Sequence, residues 1–224
     1  MRFITRVLVR IALVGLFAAP SAALAQTPVL VFTPSGAVGP ISDRSVGWQF
    51  NVVSGIWVNG LSWYDSGVDG PSHGFFGLNV GHTVGIWGSD GSLLASIFVT
   101  AGDQPFLAGQ FRTTFIAPIF LTPGVGYIVG GDQNFSASPD PLAVDVTSQA
   151  LVPELQFVHA TVSTLGGFQR PTNFAAATTG FYGPSFTTIT ATPEPGTYAL
   201  VGTGLMLLAI ARRRRASRSD DAAI

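Results

Sequence analysis

Gly70-Pro71-Ser72-His73-Gly74 has the G-x-S-x-G spacing of a nucleophile elbow. That device needs a strand before the serine and a helix after it, so that the hydroxyl is held out on a strained turn. Here a Gly/Pro-rich stretch surrounds the serine and Phe75-Phe76-Gly77-Leu78 follows, which is no helical pattern. Asp145 and His159 come later in hydrolase order, but the local chain does not build the elbow. Gly124, Gly126 and Gly130 read as G-x-G-x-x-x-G, one residue off a dinucleotide fingerprint, and no helix follows to meet a phosphate. His73, His82 and His159 share no metal-ligand spacing, and His82 opens an apolar alternating run as a structural residue would. Asp65 and Asp69 offer carboxylates in one loop, too few for the six to eight oxygens that Ca²⁺ takes. These residues predict no catalytic group, no metal and no cofactor, and the chain reads as a protein that is not an enzyme.

Two other sets could bind rather than react. Aromatic rings accept the apolar faces of sugars, so Trp57, Trp63 and Trp87 are candidate sugar-stacking residues, with burial in a core as the competing reading. Thr188, Thr190 and Thr192 fall on one face of a strand, and ranked threonines are an ice-binding device, though one rank is not an array.

The elements that must carry these residues are strands. Gly (27), Pro (15) and Phe (17) are abundant, while Lys is absent and Glu occurs only twice, which removes the usual material of helix surfaces. Val46, Trp48, Phe50 and Val52 alternate with Gly47, Gln49 and Asn51, placing both Trp48 and Phe50 in a core. Trp57, Leu61 and Trp63 share a parity in the next stretch, which is interrupted at Asn59-Gly60. Runs 82–87 and 93–99 flank Ser89-Asp90-Gly91, a hairpin signal, because Gly takes positive φ without steric cost. Further strands are predicted over 110–116, 127–129, 143–147, 155–161 and 186–192, with Pro123-Gly124 as a turn. Frequent turns between short strands point to an all-β domain, an antiparallel β-sandwich of jelly-roll type.

Charge is sparse and displaced to the ends. All 11 basic residues are Arg, and only Arg44, Arg112 and Arg170 fall within 26–192; against nine acids there they leave that segment at −6. Such a body offers no footprint for nucleic acid. With no cysteine, disulfides and thiolate metal sites are excluded.

Both ends read as targeting signals. Arg2, Arg6 and Arg10 precede the apolar run Ile11–Ala19, Pro20-Ser21 breaks it, and Ala23-Leu24-Ala25 forms an A-x-A cleavage site before Gln26. This run is too short to span a bilayer, which takes about 20 residues, so it predicts a signal helix that is removed. At the other end, Pro193-Glu194-Pro195-Gly196 leads into the apolar run Tyr198–Ala211, closed by Arg212, Arg213, Arg214 and Arg215. The arginines mark a cytoplasmic side and stop transfer, and their aliphatic stems lengthen a short single membrane helix. The expected division is a signal peptide over 1–25, a β-sandwich over 26–192, a sorting and anchor segment over 193–215, and a cytoplasmic tail over 216–224.

The C-terminal arrangement resembles the PEP-CTERM sorting domain. The resemblance implies that Pro193, Glu194 and Pro195 are a sorting motif read by an exosortase, a membrane-embedded enzyme. The exported precursor would be held transiently in the inner membrane. Its destination would be the cell surface or extracellular matrix of a Gram-negative bacterium that makes exopolysaccharide and biofilm. A looser resemblance covers Val46 to Gly131, through "VGWQF", "GLSWYDSG", "HTVGIWGSDGSLLAS" and "LTPGVGYIVG". It is similar to a domain of unknown function in secreted bacterial proteins and implies a sandwich like that of carbohydrate-binding modules. The domain is expected to be structural or adhesive; exopolysaccharide binding is the alternative, with ice binding and hydrolysis as minor ones.

Overall fold

A computed structural model describes residues 24–34, 38–39, 43–66, 77–133, 140, 142–144, 146–176, 180–191 and 202–208. The chain divides into two units, Gln26–Ile189 and a second made of Met1–Ala25 with Thr190–Ile224. The expected signal run, the elbow at 70–74, Asp69, Asp145, Pro193, Glu194, Pro195 and Arg212 to Arg215 lie outside the described residues.

Fifteen strands follow one another along the described chain. They are β1 (Leu24–Pro28), β2 (Leu30–Pro34), β3 (Val38–Gly39), β4 (Arg44–Val52), β5 (Ile56–Tyr64), β6 (His82–Trp87), β7 (Leu93–Val99) and β8 (Phe106–Ala108). Then come β9 (Phe111–Leu121), β10 (Gly124–Gln133), β11 (Leu142–Ala143), β12 (Val146–Leu151), β13 (Leu155–Val162), β14 (Asn173–Ala176) and β15 (Pro184–Ala191). Six form one sheet in the order β14-β13-β4-β10-β6-β7, and five form another in the order β1-β15-β5-β9-β8. Pairs β2-β12 and β3-β11 make two small ribbons. The expected all-β antiparallel sandwich is what the chain builds. Its later part completes the same two sheets: β13 and β14 extend the first, and β15 lies inside the second.

The alternation in β4 does what its sequence requires. Val46, Trp48, Phe50 and Val52 are buried, and Gln49 and Asn51 are not fully so. Trp48 stacks on Phe186 of the opposite sheet, with ring centroids 6.0 Å apart and planes at 13°. Its indole N–H donates to the carbonyl of Pro184 at 3.0 Å, so this ring ties the sheets by contact and by hydrogen bond. Phe50 packs on the same Phe186 at 5.3 Å.

The hairpin at Asp90-Gly91 is present between β6 and β7. Gly91 has φ +89°, and the Asp90 carboxylate accepts from the Ser92 N–H at 3.0 Å and the Ser92 hydroxyl at 2.7 Å. Those two bonds hold the Asp90 carboxyl below its ordinary value.

At Asn59-Gly60 the strand does not end. It bulges, since the β5–β9 register shifts between Val58 and Gly60. A bulge reverses which residues face inward. Ile56 and Val58 are buried before it and Leu61 and Trp63 after it, so Trp57 points the other way.

Candidate functional site

Three places in the described residues carry chemistry-bearing groups. The first is a sealed polar cluster around His82, at the start of β6. The ring Nδ1 lies 2.8 Å from the carbonyl oxygen of Asp132, and Nε2 lies 2.9 Å from Asp140 Oδ2. A carbonyl only accepts, so Nδ1 carries a hydrogen. Asp140 also accepts the N–H groups of Asn79 at 2.7 Å and Val80 at 3.1 Å. Across the ring, Trp63 lies parallel at 3.8 Å with planes 4° apart. His82 is fully buried and Asp140 is 2 % exposed. The cluster fastens residue 140 to β6 and is closed to solvent. Next to it, the Asp132 carboxylate accepts the Thr83 N–H. Burial holds the Asp132 carboxyl above its ordinary value, opposed by that bond and by His82.

The second is an ion pair. Arg112 Nε donates to Asp65 Oδ2 at 2.7 Å, and Nη1 donates to the carbonyls of Asp103 at 3.0 Å and Pro105 at 3.4 Å. Asp65 is therefore engaged by a guanidinium and is not an open cation ligand. Among the described residues no three His, Cys, Asp or Glu side chains come together as a metal would need.

The third is the outer face of the β5–β9 pair. Trp57 is 50 % exposed and sits beside Phe120, with ring centroids 5.1 Å apart and planes at 50°. Further along, Phe106 and Phe115 form a second exposed pair, centroids 5.8 Å apart. A shallow depression of about 330 Å³ lies at this second pair, lined also by Thr100, Gln104, Thr113 and Thr114.

Of the sugar-stacking candidates, only Trp57 keeps a free ring. Trp63 is buried because the bulge turns it inward onto His82, and Trp87 is 5 % exposed beneath Phe168, 5.3 Å away. Neither presents a face to a ligand. Of the threonine rank, Thr188 is buried and its hydroxyl donates to the Trp57 carbonyl at 2.9 Å, while Thr192 lies outside the described residues. Gly124, Gly126 and Gly130 belong to strand β10. His159 lies in β13, with Nδ1 bonded to the Ala160 carbonyl at 3.1 Å.

Asp140, Phe106, Phe115 and Phe120 were not singled out by the sequence. The partners of Asp140 are 58 to 61 positions away, a separation no local pattern reports. Phe115 and Phe120 follow the alternation of β9 only once its bulge with β5 is placed, and Phe106 lies in the three-residue strand β8.

At the ends, Leu24 and Ala25 of the expected A-x-A site begin β1, and Ala23 lies outside the described residues. Residues 202–208, inside the expected anchor run, form a helix whose Leu205, Met206, Leu207 and Leu208 are exposed. No helix among the described residues is long and apolar enough to cross a membrane. Comparison with curated proteins finds no match. Residues 191–215 match the PEP-CTERM protein-sorting motif, so this chain carries the tail of an exported protein that is anchored transiently in a membrane and processed by an exosortase.

Proposed function

We propose that the chain is a non-enzymatic surface or matrix protein, in which the sorting tail delivers a structural or adhesive β-sandwich to the outside of a Gram-negative cell. The single observation that carries this reading is the sorting motif at 191–215. The body supports it: Asp140 is spent on His82 and two backbone N–H groups, and Arg112 on Asp65 and two carbonyls. Both groups fasten chain to chain. In this reading the signal peptide is removed at Ala25, the run Tyr198–Ala211 holds the precursor in the inner membrane, and Pro193, Glu194 and Pro195 present the site to the exosortase.

Replacing Pro193, Glu194 and Pro195 with alanine tests it. The apolar run and the arginines stay, so the variant should accumulate as an unprocessed, membrane-bound precursor. Fractionation and blotting of the exported chain read this out. A variant processed and distributed like the natural chain would remove the motif's role and the reading with it.

A further inference from the structure

We propose that the outer face of the β5–β9 pair binds a neutral polysaccharide, with pyranose rings resting on Trp57 and Phe120 at one end and on Phe115 and Phe106 at the other. The proposal rests on the surface or matrix reading above, and names a partner for it.

The face is built, not incidental. Strand pairing sets Trp57 opposite Phe120 and Gly60 opposite Phe115. Paired residues point to the same side of a sheet. A Cβ at Gly60 would come within 3.3 Å of the Phe115 ring and 2.7 Å of the Thr187 hydroxyl, which confirms that Phe115 lies on the outward side there. The bulge between Val58 and Gly60 is what puts both pairs on one face, because without it Trp57 and Gly60 would have opposite parity. The two platforms are three residues apart on β5 and five on β9, a span of roughly 10–16 Å, or about two to three linked pyranose rings.

The chemistry of the face selects the ligand. The C–H groups on a pyranose face carry partial positive charge, and the face of an aromatic ring is negative. Hydroxyls at the sugar edge need partners once water is displaced. Thr100, Gln104 and Thr114 supply them at the depression beside Phe106 and Phe115. Among the described residues, none of the side chains that form the two pairs or line the depression is charged, so none of them would hold an anionic polymer by its charge.

A second copy of the chain is a poorer occupant. Half-exposed rings of this size offer roughly 100 Å² each, about 400 Å² for the four. A stable interface takes about 800 Å² from each partner. Polysaccharide recognition needs less area, because the same small site repeats along one polymer.

Affinity electrophoresis of the full chain in detergent tests this directly. Gels carry soluble hydroxyethylcellulose, xylan, galactomannan or dextran, with dextran sulfate as the anionic comparison. At least one neutral polymer should retard the chain, and Trp57→Ala and Phe115→Ala should each weaken that retention about three- to tenfold. Trp57→Phe should restore most of it, which separates a lost ring from a lost fold. Phe174→Ala, an exposed ring on the other sheet, should change nothing. Because the other three tryptophans are buried, polymer should also protect the Trp57 fluorescence from iodide. Absence of retardation by all four neutral polymers, or retention unchanged in both alanine variants, overturns the proposal. So does retention by dextran sulfate alone, or a dimer of the natural chain that these variants dissolve. Fractionating the same variants keeps the two readings apart. Processing that continues while binding is absent defeats only this proposal, and failure of the Pro193, Glu194, Pro195 test defeats the reading beneath it.

Discussion

His82 has its two ring nitrogens against a carbonyl and a carboxylate, and its face against an indole. The pair is buried, so the hydrogen bond between Nε2 and Asp140 is what makes the contact tolerable in the interior. Removing one side leaves the other unmatched. Asp140→Ala should cost about 3–5 kcal/mol in urea unfolding, the range for breaking a buried pair. Asp140→Asn keeps an acceptor for one of the Asn79 and Val80 N–H groups, which bond different carboxylate oxygens, and should cost less than alanine. An alanine variant within about 1 kcal/mol of the natural chain would show the cluster to be solvated. Asp132 carries a pH signature of its own. Its carboxyl is held above the ordinary value by burial, so any stability it adds is complete below the unfolded-state value and disappears as pH rises through the folded-state value. Asp132→Asn keeps the acceptor for Thr83 and removes the buried charge. The variant should match or exceed the natural chain at pH 7 and lose that advantage in acid, as paired urea titrations would show. An advantage that grows in acid would reverse the sign assigned here. At this scale the sequence showed Trp48 and Phe50 as core residues, because strict alternation in a nine-residue strand leaves one face to bury. It gave no sign of Asp140, whose importance lies wholly in a contact made at a distance of 58 positions.

Between neighbouring strands, small residues set how closely the sheets are drawn. A Cβ at Gly47 of β4 would fall 2.0 Å from the Val129 carbonyl oxygen, a backbone atom in the paired strand β10. The nearest atoms to a Cβ at Gly55 would be the far end of the Phe120 ring, on an exposed side chain that can shift slightly. Gly47→Ala should therefore cost about 2–4 kcal/mol, and Gly55→Ala under about 1 kcal/mol, in urea unfolding. Equal costs would mean that the β4–β10 spacing is not limited by Gly47. The strands that carry long alternating runs, β4, β6, β7 and β13, were legible in advance, and so was the hairpin at Asp90-Gly91. The short pieces β3, β8, β11 and β14 were not, or only in part, since two to four residues cannot display a period. In the sequence the bulge in β5 is visible only as an interruption at Asn59-Gly60, and simple parity puts Trp57 on the same side as Leu61 and Trp63. Pairing with β9 converts that interruption into a reversal of faces, which buries Trp63 and exposes Trp57.

For the whole molecule, the body and the tail have separable physical tasks. The body buries Trp48, Phe50, Leu61, Trp63 and Phe186 in one core between its sheets. Retention in a membrane should then depend on the tail alone. The run Tyr198–Ala211 has 14 residues, where a span takes about 20, so it is short on its own. In the proposed reading Arg212, Arg213, Arg214 and Arg215 correct this in two ways. Their charges resist crossing the bilayer, and their aliphatic stems extend the apolar length while the guanidinium groups reach the interface. Replacing the four with serine removes both effects while leaving Pro193, Glu194 and Pro195 for the exosortase. The precursor should then be retained less well, and a fraction should leave the membrane unprocessed. Deleting 193–224 should go further and release all of the exported chain as a soluble protein. Its stability should be unchanged, because the core residues among those described lie before Pro193. Fractionation with blotting, followed by urea unfolding of the released chain, measures both. Serine variants held as firmly as the natural chain would mean that the apolar run alone stops transfer. A truncated chain that unfolds at much lower urea would mean that the tail supports the body, contrary to the division of labour argued here.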